Sequence, residues 1–131
     1  MIRIATISIQ AVRPGEVARF WRDLLGYEVA PNHTDPVLLV GDGPSLLVQL
    51  AERAPGDGAI HLDLRPLDAP AAVARALELG ASLADIGQSG REGWTVLRDP
   101  GGNLFCILRS VSDHADLMAS DPGSPTPIPG A

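Results

Sequence analysis

The sequence predicts an α+β domain in which two βαβββ modules pair curved mixed sheets around an open cleft. Three observations predict it. The order strand, helix, three strands reads twice along the chain, at an offset of about 54 residues, and internal repetition of this kind decides the architecture before any local detail does. Each helical segment stops at a Leu-Gly pair, Leu25-Gly26 and Leu79-Gly80, and Ala18-Arg19 and Ala74-Arg75 form a faint echo upstream of them. The length of 131 residues, 45% apolar and 20% charged, is enough to bury a core without disulfides or metal staples.

Each element has its own local cause. Residues 2–11 alternate apolar Ile7 and Ile9 with polar Thr6, Ser8 and Gln10, the period of a strand with one buried face. Pro14-Gly15-Glu16 opens a helix to Leu25. Pro suits its first turn, Glu16 suits its positive end, and Val17, Phe20, Trp21, Leu24 and Leu25 recur at helical spacing. Gly26 is the left-handed stop. Strands follow near 27–31, 36–41 and 44–51, broken at Pro31-Asn32 and by the hairpin signal Gly41-Asp42-Gly43-Pro44. The loop Ala54-Pro55-Gly56-Asp57-Gly58 separates a first module, 1–52, from a second, 59–110. In the second, residues 59–65 alternate, and Pro66–Leu79 form a helix with Asp68 placed to cap and Gly80 as its stop. Strands follow near 82–86, 92–98 and 103–110, the last two joined by the turn Asp99-Pro100-Gly101-Gly102-Asn103. Residues 111–131, ending in a Pro/Gly-rich stretch, read as a tail without regular structure.

Parity assigns the faces. If Ile7, Ile9, Leu62 and Leu64 face the helices, then Thr6, Ser8, Gln10, His61, Asp63 and Arg65 face the concavity. Two modules then bring their inward faces together as a polar-lined cleft.

Composition excludes several functions. Sixteen acids against ten bases, every base an Arg, give a net charge of −6. No basic cluster is present to displace counterions from phosphates, which argues against nucleic acid and anionic membrane surfaces, whereas a neutral or cationic small molecule fits. The single cysteine excludes a disulfide framework or a CxxC site. No apolar run approaches the roughly 20 residues that cross a bilayer, and no signal peptide precedes the first strand. A cytoplasmic protein is the reading. His33 and His114 read as solvent-facing, and no GxSxG, HExxH or GKS/T element is present.

Three segments, Phe20-Trp21-Arg22-Asp23-Leu24-Leu25-Gly26, Ile60-His61-Leu62-Asp63-Leu64 and Trp94–Asn103, in the setting of the repeated modules, resemble the vicinal-oxygen-chelate superfamily of glyoxalases, bleomycin-resistance proteins and extradiol dioxygenases. The likeness is strongest to its glyoxalase-like domain branch and covers residues 2 to about 110. The resemblance implies a divalent metal held in the cleft by ligands from the first, fifth and eighth strands. Those positions fall here on Thr6, His61 and Cys106, with Gln49 at a fourth. Only His61 matches the family ligand type, so the site reads as degenerate and no cofactor is expected beyond the divalent metal the family allows. The resemblance also implies a homodimer, with modules pairing either within one chain or between chains.

Thr6, Ser8, Gln10, Gln49, His61, Asp63, Trp94 and Cys106 are therefore the expected ligand contacts, with His61 foremost. The expected function is binding of a neutral or cationic small molecule, of the resistance or sequestration type. The alternative is a metal-dependent lyase, isomerase or dioxygenase acting through His61 on a substrate with vicinal oxygens. A third reading is metal-free acid–base catalysis by His61 with Asp63 beside it.

Overall fold

A computed structural model describes the chain except residues 2, 58, 121–122, 124–126 and 131. The elements run β1 (Thr6–Ala11), α1 (Pro14–Leu25), β2 (Glu28–Thr34), β3 (Val37–Val40), β4 (Ser45–Leu50), β5 (Leu62–Leu64), α2 (Ala69–Glu78), β6 (Ser82–Leu83), β7 (Trp94–Arg98), β8 (Leu104–Leu108) and α3 (Val111–Ala119). They form two four-stranded sheets of identical topology, β1-β4-β3-β2 and β5-β8-β7-β6. In each, the first strand pairs in parallel with the last and the remaining pairs are antiparallel.

The alternation in β1 is realised: Ile9 and Ala11 are buried, while Thr6, Ser8 and Gln10 are exposed. Helix α1 begins with Pro14, carries Glu16 in its first turn, and ends at Gly26 in the left-handed conformation, φ 69°. It buries Val17, Ala18, Phe20 and Trp21. In α2 the Asp68 carboxylate accepts from the Ala71 amide at 3.0 Å, and Gly80 follows with φ 115°. One core joins the modules, with Ile9, Val17, Phe20, Trp21, Leu39 and Val48 from the first and Ala76, Leu97, Phe105 and Ile107 from the second.

A buried polar bond fastens that core. The Trp21 indole Nε1–H donates to Asp99 Oδ2 at 2.9 Å, across 78 residues. Asp99 sits in the turn between β7 and β8 and is only 4% exposed. Its Oδ1 accepts from the backbone amides of Gly101 and Asn103, each at 2.9 Å, and the Asn103 side-chain amide donates to it as well. A buried carboxylate is tolerated only when its oxygens are satisfied this fully. The Trp21 ring also meets Phe105 edge-on, centroids 5.0 Å apart, and Phe20 at 5.1 Å.

Several sequence expectations are corrected. The first strand starts at Thr6, because β4 offers no partner before Ser45. β2 runs past Pro31-Asn32 to Thr34, accommodating the break by a shift of register, with Asn32 at φ 61°. β5 spans only Leu62–Leu64, opposite Phe105–Ile107 of β8, so His61 lies just before the strand. Arg65 lies just past its end, donating to the Arg109 carbonyl at 2.9 Å. Helix α2 starts at Ala69, since the Asp68 cap fixes its first turn. Residues 111–131, expected without regular structure, contain α3. The Ser110 hydroxyl accepts from the Asp113 amide at 3.1 Å, and the Val111 amide donates to the Pro66 carbonyl at 2.8 Å. The spacing Ser110-x-x-Asp113 is a capping signal that marks such a helix in sequence. The described residues beyond Ala119 carry no helix or strand; the rest of that stretch lies outside the described residues.

Asp99→Ala is expected to destabilise the fold by about 3–5 kcal/mol, because it strands several buried donors. Asp99→Asn, which keeps one acceptor oxygen, is expected to cost less. Urea unfolding of the two variants beside the parent checks both. A loss within about 0.5 kcal/mol for Asp99→Ala, the range of ordinary surface changes, would remove the bond from its place in this account.

Candidate functional site

The faces that the two sheets turn away from the shared core differ in chemistry. On the first sheet, the register Thr6↔Ser45, Ser8↔Leu47 and Gln10↔Gln49 puts Thr6, Ser8 and Gln10 of β1 on one face with Ser45 and Gln49 of β4, Leu47 lying between the last two. Ser8, Gln10 and Gln49 border a cavity of about 240 Å³, which Pro55, Ala59, Ile60 and Asn103 line as well. The cavity therefore spans both modules. Thr6 lies on the same exposed row but outside this cavity.

His61 follows Ile60 directly and opens a second group of functional atoms. Asp63 lies opposite Cys106 in the parallel pairing of β5 with β8, and His61 shares its face two residues earlier. His61 Nε2 is 3.0 Å from Cys106 Sγ and 3.4 Å from Asp63 Oδ1. One donor atom from each of the three lies within 4.8 Å of the others. Cys106 is buried, with Ala84 and Val96 packed beside it and Leu104 and Leu108 at the edge of the cluster. The His61 and Asp63 side chains are about half exposed, 47% and 56%. Burial, and then the negative charge of Asp63, push the Cys106 thiol up to about 11. At neutral pH it keeps its proton, which removes a Cys106–His61 nucleophilic pair from consideration.

These residues can be tested against a divalent metal. Thr6 carries only a hydroxyl, and it lies outside the cavity. Gln49 carries a neutral amide, a weak ligand, and borders the cavity. A hard ion asking for several carboxylate or water oxygens in an octahedron finds one carboxylate here. Imidazole, carboxylate and thiol are instead the donor types of a four-coordinate site for a borderline ion such as Zn²⁺, three from protein with one position open. The donor set fits that ion class, with His61, Asp63 and Cys106 as its holders.

Of the expected contacts, the structure brings together Ser8, Gln10 and Gln49 in one group and His61, Asp63 and Cys106 in another. Trp94 joins neither. It opens β7 opposite Leu108 and borders a different cavity, about 270 Å³, with Val73 of α2 and Arg109 and Asp113 at the start of α3. Sequence reasoning missed Ile60 and Asn103 as cavity walls, because both read as core or turn residues. The only signal for them was adjacency to His61 and to the end of the Asp99 turn.

Comparison with known proteins agrees with this architecture. The sequence profile of the glyoxalase-like domain family matches residues 6–108. No curated protein sequence matches the chain. A crystal structure of a glyoxalase/bleomycin resistance protein/dioxygenase family enzyme from Burkholderia phytofirmans PsJN superposes with TM-score 0.60 at 15% identity, covering 81% of this chain and 97% of the other. A superfamily member from Sphaerobacter thermophilus DSM 20745 gives 0.59 at 24% identity over 84% and 98%. TnmS3, an antibiotic binding protein from Streptomyces sp. CB03234, gives 0.60 at 18% over 84% and 97%. At these identities the structures speak to the fold, and the profile match across both modules speaks to ancestry: the chain belongs to the glyoxalase-like domain family of the vicinal-oxygen-chelate superfamily.

Proposed function

We propose that the protein binds a neutral or cationic small molecule in the cleft between its two modules, in the manner of a resistance or sequestration protein. The observation that carries this reading is the cavity spanning both modules, whose first-sheet wall offers only uncharged hydrogen-bonding groups, Ser8, Gln10 and Gln49, beside apolar Pro55 and Ile60. Such a wall orients a ligand by hydrogen bonds and supplies no acid, base or nucleophile. At about 240 Å³ the cavity is small beside the roughly 300–1,000 Å³ of drug-sized pockets, so a larger ligand would extend over the open side towards His61. The net charge of −6 raises the local concentration of cations. The antibiotic binding protein among the structural neighbours supports this reading. In family terms the metal site is degenerate, since Thr6 and Cys106 stand where stronger hard-ion ligands would.

The His61–Asp63–Cys106 group favours a second reading, a metal-dependent lyase, isomerase or dioxygenase. An ion held there would act as a Lewis acid on two neighbouring substrate oxygens. Among the described residues no helix is long and apolar enough to cross a membrane, and we place the protein in the cytoplasm.

Titration calorimetry against neutral and cationic aromatic compounds tests the binding reading. Gln49→Ala and His61→Ala are each expected to weaken a bound compound by about tenfold to a hundredfold, roughly 1–3 kcal/mol, and to leave the thermal midpoint nearly unchanged. A His61→Ala variant that unfolds early while its folded fraction keeps full affinity would make His61 structural. Substrate turnover lost on treatment with a chelator would favour the second reading.

A homodimer completes the proposal. Leu83 on edge strand β6 and the neighbouring Ile86 and Trp94 are exposed apolar side chains of the second module, and an uncovered sheet edge of this kind invites pairing. Light scattering at micromolar concentration should read twice the chain mass of 13.7 kDa; a single-chain mass alone would overturn it.

A further inference from the structure

We infer that Asp57 and Arg98 are positioning residues of the cleft: their ion pair holds the connection between the modules where it lines the cavity, and so makes binding of even an uncharged ligand depend on ionic strength. The inference rests on the reading of that cavity as the ligand site, and it names what regulates the site.

The connection has little of its own to hold it. β4 ends at Leu50 and β5 begins at Leu62, and the chain between them contributes Pro55, Ala59 and Ile60 to the lining of the cavity. Among the described residues, the segment 52–59 makes one internal hydrogen bond, from the Ala59 amide to the Gly56 carbonyl at 3.1 Å. Its hydrogen bonds to the rest of the molecule, again among the described residues, all run through one side chain. Arg98 Nη1 donates to Asp57 Oδ1 at 2.7 Å, and Arg98 Nη2 donates to Asp57 Oδ2 at 3.0 Å.

The arginine end of this fork is fixed. Arg98 closes β7, in register with Ser82 of β6 and Leu104 of β8. Its Nη1 also donates to the Gly102 carbonyl at 3.2 Å, in the turn whose Asn103 borders the same cavity. The pair therefore ties the connection to the turn that Asp99 fastens to Trp21. Two parallel N–H···O bonds set direction as well as distance, which a lysine ammonium cannot do. The Arg98 guanidinium holds the Asp57 carboxyl below the usual carboxylate range, so the pair is charged at neutral pH. Its side chains are 33% and 57% exposed, within reach of dissolved salt. The residues that border the cavity are themselves uncharged, so salt acts on a neutral ligand through this pair.

Trypsin tests the tie without any ligand, because every basic residue of the chain is an arginine and Arg53 stands at the start of the segment. Cleavage of the full-length protein after Arg53 should quicken about twofold to fivefold in Asp57→Ala and in Arg98→Gln, as suits an exposed bidentate pair. The double variant should be no faster than the faster single one. Cleavage after Arg22 and Arg75, inside α1 and α2, should keep the parent rate. Benzamide, an uncharged probe, then reads the effect on binding by calorimetry. Its affinity for the parent should fall about twofold to fivefold as ionic strength rises from about 0.01 M to about 0.15 M, which shortens the Debye length from about 30 Å to about 8 Å. Both variants should bind it more weakly at low salt and lose the salt dependence. Parent rates of Arg53 cleavage in both variants would overturn the proposal. So would faster cleavage at all sites together, which marks a loss of overall stability, or benzamide bound equally well by parent and variants. Faster Arg53 cleavage in a protein that binds no benzamide would uphold the tie and count against the ligand reading alone.

Discussion

The bond from the Trp21 indole to the Asp99 carboxylate, 2.9 Å long and buried, is the constraint on which the geometry of the molecule depends. It ties helix α1 of the first module to the β7–β8 turn of the second. A tryptophan buried to 1% exposure needs a partner for its N–H. A carboxylate buried to 4% needs more donors than one indole can give. The turn answers both needs, because Gly101 and Asn103 turn their amides back onto the same carboxylate. With α1 pinned against Phe105 and the Asp99 turn, the first sheet has one position relative to the second. The cavity between Gln49 and Ile60 follows from that position.

The functional atoms of the two modules fall into two groups of different chemistry. The first-sheet side is uncharged and offers hydrogen bonds through Ser8, Gln10 and Gln49. The second-sheet side concentrates an imidazole, a carboxylate and a thiol within 4.8 Å. The proposed functions draw on this division. A ligand oriented by the neutral wall would present its far end to the donor group, where an ion or a hydrogen bond can hold it. Burial and the Asp63 carboxylate together push the Cys106 thiol up, which disfavours its thiolate.

How much of this could be read from the residues follows from the range of each signal. The alternation of Thr6, Ile7, Ser8, Ile9 and Gln10 and the apolar stripe of α1 are local patterns; α1 stands where it was read, and β1 does from Thr6 onward. The repeat of sheet order was legible for the same reason. Strand ends were misread where pairing decides them: β5 loses residues 59–61 because only Leu62–Leu64 find partners on β8. Helix α3 was missed because Pro/Gly-rich composition after it outweighed the Ser110-x-x-Asp113 cap. Asp99 read as a turn residue, which it is, yet its tie to Trp21 spans 78 residues and leaves no local trace. The candidate site was legible residue by residue and not as a geometry. Asp63 and Cys106 each drew notice, and only the cross-strand register makes them neighbours of one His61 nitrogen.

The central claim is that ligand meets this chain in the cleft between the modules. Amide chemical-shift mapping of any small molecule that raises the thermal midpoint tests it most directly. The account predicts that Ser8, Gln10, Gln49 and His61 shift together, at one saturating ligand concentration. Shifts confined to Val73, Arg109 and Asp113, around the outer cavity between α2 and α3, would contradict it.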